Sequence, residues 1–171
     1  LGVFRGEEEA VEERFVKGGL PASGLVVGIN PGSTGGRAKR WLPERFAEAA
    51  DRLCRTIRES RGQQVSVVIV GGKEEEPLGR EIAARLSSRS MGLSGATTIR
   101  ELMAALKRCE VLLTNDSGPM HVANALQVPV VSIFGSTDWR KTAPFGNPDG
   151  LVRQPVDCAP RMLLECPIDH R

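Results

Sequence analysis

The run Val111-Leu112-Leu113-Thr114-Asn115-Asp116-Ser117-Gly118-Pro119-Met120-His121 decides the fold. Its opening residues are apolar and uninterrupted, the pattern of a strand buried on both faces. Polar residues and Gly118 follow. Pro119, with its preset φ and no amide proton to lose, then starts a short helix. A strand that passes through a tight polar turn into a helix is the repeating unit of a parallel α/β sheet.

The same punctuation recurs on both sides. Upstream, Leu25-Val26-Val27-Gly28-Ile29 and Val65 to Val70 are further short apolar runs. Pro43 opens a helix whose apolar residues Phe46, Ala49, Ala50, Leu53 and Ile57 keep the 3.6-residue period, and Leu78, Ile82 and Leu86 mark another. Thr98-Ile99-Arg100-Glu101 is a capping box, in which Thr and Glu each satisfy an open amide at a helix start. The helix it starts carries Ile99, Leu102, Met103 and Leu106 on one face. Downstream, Val130-Val131-Ser132-Ile133-Phe134 is a fourth strand. Alternation at this spacing implies right-handed crossovers. The expected fold is a Rossmann-like three-layer α/β/α domain with a parallel sheet over residues 25–150.

The flanks differ. Gly6 to Lys17 is rich in Glu and predicts a helix with Val11, Phe15 and Val16 inward and Gly18-Gly19 as its stop, so residues 1–24 are expected to be a helical lead-in between domains. Beyond Phe145 the pattern gives way to Pro, Gly and Asn, and residues 151–171 are expected to be an irregular segment. The chain begins without Met and stops abruptly at Arg171, which reads as part of something longer.

Composition narrows the function. With 171 residues, 40% hydrophobic and 26% charged, the chain is long enough for a core of its own and too apolar to be disordered. Lys plus Arg total 23 against 21 Asp plus Glu, a net of +2, so nucleic acid is not an expected partner. No apolar run approaches the ~20 residues that span a bilayer. Leu1-Gly2-Val3-Phe4-Arg5 runs straight into acidic residues, unlike a signal peptide. Cys54, Cys109, Cys158 and Cys166 are therefore expected to be reduced thiols in the cytoplasm.

In an open parallel sheet, ligands bind beyond the carboxyl ends of the strands. Four loops of small and polar residues should gather there: Asn30 to Arg40, Gly71-Gly72, Thr114 to Gly118, and Gly135-Ser136-Thr137. The first is glycine-rich but fits neither the dinucleotide nor the P-loop spacing. It still suits an anion, with Ser33 and Thr34 as hydroxyl donors and Lys39 and Arg40 as charge. Ser117 and Gly118 open a helix whose free amides and dipole favour phosphate. Asp116 is expected to cap that helix or to hold a sugar hydroxyl, because it would repel a diphosphate. His121, in the first turn, is placed to donate to a phosphate oxygen or to brace the loop. Glu75, beyond a strand end, suits ribose hydroxyls, although Glu74-Glu75-Glu76 is equally the pattern of a solvated charge run.

Asn30-Pro31-Gly32-Ser33 with Ala38-Lys39-Arg40-Trp41-Leu42-Pro43-Glu44-Arg45-Phe46 resembles the opening of the donor domain in bacterial lipopolysaccharide heptosyltransferases. So do Gly71-Gly72-x-x-Glu75, Gly95 with Thr97-Thr98, Thr114 to His121, Gly135-Ser136-Thr137-Asp138 and Thr142-Ala143-Pro144-Phe145-Gly146, in that order. The tail, Asp157-Cys158-Ala159-Pro160 with Glu165-Cys166-Pro167-Ile168-Asp169-His170, resembles the heptosyltransferase II branch. The resemblance covers residues 25 to 170 and matches only the C-terminal, ADP-heptose-binding half of a GT-B glycosyltransferase. It implies inverting transfer of heptose to the lipopolysaccharide inner core, with the acceptor and the general base met by an N-terminal half absent from this chain. Turnover by this chain alone is therefore not expected, and peripheral association with the inner membrane belongs to the same family picture.

Under that resemblance Lys39 and His121 are the catalytic candidates. Ser33, Thr34, Lys39, Glu75, Thr97, Asp116, Ser117 and Gly118 form the ADP-sugar site, with Glu75 on the ribose and Thr97 near adenine. A lysine and a helix dipole at the departing diphosphate make a metal or other cofactor unnecessary. Cys158, Cys166 and His170 offer three ligands where a structural zinc takes four, so no metal is expected there. Two other readings fit the same residues: a nucleotide-binding module without catalysis, and a transferase using another nucleotide sugar.

Overall fold

The structure, a computed structural model, describes residues 1–33, 36–161 and 165. Six strands form one sheet, β1 (Leu25–Asn30), β2 (Val65–Ile69), β3 (Ser90–Gly92), β4 (Val111–Asn115), β5 (Val130–Phe134) and β6 (Leu151–Arg153). Their order is β3-β2-β1-β4-β5-β6, and every pairing is parallel. The helices are α1 (Arg5–Lys17), α2 (Pro43–Arg61), α3 (Glu76–Arg85), α4 (Ile99–Lys107), α5 (Gly118–Ala125) and the single turn α6 (Trp139–Thr142).

Strand side chains alternate between two cores. Val26, Val68, Leu112 and Val130 face a core shared with α1, α4 and α5, whereas Val27, Val67, Leu113 and Ile29 face one shared with α2 and α3. Burial on both faces explains why these strands read as continuous apolar runs rather than alternating ones. At Gly28 a Cβ would lie 3.0 Å from both Cys109 Sγ and Leu112 Cδ1, so the turn between α4 and β4 packs directly onto the strand backbone there. Burial pushes the Cys109 thiol up to about 12, which leaves it inert at neutral pH.

The sheet also differs from expectation. Its edge strands β3 and β6 have only three residues each and are half-buried to exposed, so neither carries the apolar run that marks a buried strand. The segment expected to be irregular from residue 151 thus opens with β6. Within α1, Val11 and Phe15 are buried, but Val16 turns outward at 45% exposure. Residues 1–24 are integral to the first core: Phe15 packs there with Met103 and Leu106 of α4, and two ion pairs, Glu7–Arg100 and Glu12–Arg108, lock the helices together. The Arg100 guanidinium holds the Glu7 carboxyl below its ordinary range.

Candidate functional site

The carboxyl ends of β1 and β4 meet as register partners, Asn30 beside Thr114. Asn30 is 2% exposed, and Thr114 and Asn115 are fully buried. Polar groups this deep are tolerated only when bonded. Asn30 Nδ2 donates to Thr114 Oγ1 at 2.9 Å and to Ser117 Oγ at 2.6 Å. Asn115 Nδ2 donates to the Pro31 carbonyl at 2.7 Å, and its Oδ1 accepts from the Trp41 amide at 3.0 Å. Asn115 therefore clamps both ends of the loop that follows β1.

A cleft of about 290 Å³ opens above this seam, near the lower end of small-molecule sites. One wall is Asn30, Gly32 and Ser33 after β1; a second is Gly71, Gly72 and Glu75 after β2. Thr97, Ile99 and Leu102 form a third at the start of α4, and Ser117, Gly118 and Pro119 a fourth at the start of α5. Ile99, grouped with Leu102, Met103 and Leu106 on one face of its helix, is 62% exposed and gives the cleft an apolar rim. The Thr98–Glu101 capping box forms as expected, and the Thr98 amide holds the Glu101 carboxyl below its usual range.

The three glutamates of the acidic run part company. Glu74 is exposed and Glu76 pairs with Arg80, but the Glu75 carboxylate accepts from the Gly72 amide and lies against Gly32 and Gly71. A Cβ on Gly32 would collide with that carboxylate, so the glycine is what admits it to the cleft.

Ser33, Glu75, Thr97, Ser117 and Gly118 of the expected site all line this one cleft. Lys39 and Asp116 meet each other instead. Lys39 Nζ lies 3.2 Å from Asp116 Oδ2, with side chains 19% and 7% exposed, and Thr142 Oγ1 donates to the same oxygen at 3.3 Å. Asp116 accordingly does not cap α5; its carboxylate is taken by Lys39 and Thr142. Ser117 occupies the cap position but makes no side-chain capping bond. His121 is exposed on α5, outside the cleft lining. Thr34, Cys166 and His170 lie outside the described residues. Asn30, Asn115 and Thr142 went unread as individual site residues; the only signal was an Asn ending an otherwise apolar strand, twice.

A sequence model for glycosyltransferase family 9 (heptosyltransferase) matches residues 7–171. The chain belongs to glycosyltransferase family 9. Lipooligosaccharide heptosyltransferase 2 of Campylobacter jejuni is 34% identical over 149 residues, covering 85% of this chain and 45% of its own length. Lipopolysaccharide heptosyltransferase 2 of Salmonella typhimurium is 32% identical over 157 residues, covering 90% and 42%. The structure of the E. coli ADP-heptose lipopolysaccharide heptosyltransferase II superposes with a TM-score of 0.75 at 29% identity, over 94% of this chain and 46% of that one. This family 9 chain thus spans less than half the length of these relatives. Among its described residues no helix is long and apolar enough to cross a membrane.

Proposed function

We infer that this chain is the donor-binding half of a GT-B enzyme that transfers heptose from ADP-heptose to the lipopolysaccharide inner core. The observation that carries this reading is the polarity of the cleft above the β1–β4 seam. Its Ser117–Gly118 end presents helix amides beside the Lys39–Asp116 pair, and its other end presents the Glu75 carboxylate and apolar Ile99 and Leu102. The first end suits a diphosphate and the second a nucleoside, with Glu75 accepting from ribose hydroxyls and Thr97 beside the base.

In the proposed reaction an acceptor hydroxyl attacks the anomeric carbon of the heptose, the bond to the β-phosphate oxygen breaks, and ADP leaves with the added charge. Lys39 and the α5 amides meet that charge as it develops, which is where preorganised donors lower a barrier most. Lys39 already has an anionic partner, so donor binding exchanges Asp116 for diphosphate rather than stripping water from a bare ammonium. Asp116, still held by Thr142, is then available to accept from sugar hydroxyls. Ser33 and Thr34 add donors from the β1 loop, and His121 reaches the ligand only if its side chain turns in from solvent. The acceptor and the general base belong to a region outside this chain, and the enzyme works in the cytoplasm at the inner membrane.

Calorimetric titration in EDTA tests this reading. Micromolar ADP binding is expected, with ADP-heptose at least as tight, UDP weaker by ~10-fold or more, and Lys39→Ala weaker by ~10-fold or more. Equal binding of UDP, or an unchanged Lys39→Ala, would contradict the assignment of donor and lysine.

A further inference from the structure

Ser117 stands where a serine ordinarily caps a helix, yet its hydroxyl does not bond the α5 amides. It accepts from Asn30 instead. The amide nitrogen of Asn30 has two protons and no acceptor, and both protons are committed, one to Thr114 Oγ1 at 2.9 Å and one to Ser117 Oγ at 2.6 Å. Thr114 has a single hydroxyl proton, and the Asn115 carbonyl accepts it at 2.9 Å. Ser117 Oγ is therefore an acceptor toward Asn30, and its own proton has two destinations: Thr114 Oγ1 at 3.2 Å or the cleft that Ser117 lines.

We propose that Asn30 is a positioning residue that sets the Ser117 hydroxyl as a donor toward an anionic oxygen in the cleft and keeps it off the α5 amides, leaving those open to the same anion. The proposal rests on the nucleotide reading above and deepens it by assigning a polarity to the phosphate end. An anionic oxygen outcompetes the neutral Thr114 hydroxyl, because hydrogen bonds to charged acceptors are roughly twice as strong. Asn30 lines the cleft at only 2% exposure, and both its donor protons are already committed to Thr114 and Ser117, so its influence on an anion passes through Ser117.

Titrating the chain with ADP, and with adenosine as a phosphate-free control, separates this role from a structural one. Asn30→Ser is too short to bridge to Ser117 and adds no charge; Asn30→Asp keeps the shape but only accepts, reversing the polarity. Both are expected to weaken ADP binding by ~10-fold or more while adenosine changes less than ~2-fold. In a Ser117→Ala background, Asn30→Ser should cost less than a further ~2-fold, since the group it acts through is gone. Unchanged ADP binding overturns the proposal. So does loss of both ligands in step in both variants, which makes Asn30 structural, or an undiminished effect in the Ser117→Ala background. Absence of ADP binding by the wild-type chain is a separate result, seen before any substitution, that removes the nucleotide reading and this inference together.

Discussion

The β1–β4 seam and the two sheet edges are built in opposite ways. At the seam, Asn30, Thr114 and Asn115 are almost fully buried, and each is hydrogen-bonded across it, Asn30 to Thr114 and Asn115 to Pro31. At the edges, β3 and β6 are three residues long, half-buried or exposed, with Val152 at 49% exposure. A buried amide can stay only if it is satisfied, so its partners are held in one arrangement. The edges carry no such obligation. The molecule keeps its fixed geometry where the loops after β1, β2 and β4 converge on the cleft, and leaves the sheet margins short.

Substitutions can break or sharpen that contrast. The largest effect is expected at the seam: Asn115→Leu fills the space but strands the Trp41 amide and the Pro31 carbonyl, which should cost about 2–4 kcal/mol in urea unfolding. A loss below about 1 kcal/mol would mean that the clamp is ornamental. Next comes Gly28→Ala, whose Cβ would press on Cys109 and Leu112 at 3.0 Å and should cost about 1–2 kcal/mol as overpacking. The smallest is Val152→Ser on the edge, expected to stay within about 0.5 kcal/mol. If that change costs as much as Gly28→Ala, the edge is as tightly built as the centre and the contrast fails.

The same contrast explains what could be read in advance. β1, β2, β4 and β5 were legible because burial on both faces writes itself as an unbroken apolar run. The capping box at Thr98 was legible because its partners are three residues apart. β3 and β6 were not, since three half-exposed residues leave no periodic trace. Val16 was assigned inward, and Ile99 to one face with Leu102, Met103 and Leu106, by spacing alone, but the first turns to solvent and the second to the cleft rim.

At the site, three of the four loops expected to converge, those after β1, β2 and β4, line one cleft with five expected residues, whereas Gly135-Ser136-Thr137 lies outside its lining and the start of α4 supplies the fourth wall. Pairing was not predictable. Asn115 reaches Pro31 across 84 residues, and Lys39 reaches Asp116 across 77, separations over which local pattern carries no information. The bond from Asn30 to Ser117 likewise spans 87 residues.

Amide hydrogen exchange of the chain with and without ADP tests most directly whether the seam is the nucleotide site. The account predicts slowed exchange in the stretches after β1 and β2, residues 31–33 and 71–75, and in the first turn of α5, with β3 and β6 unchanged. Slowing confined to the edges or to α1, or none anywhere while ADP is bound, would contradict it.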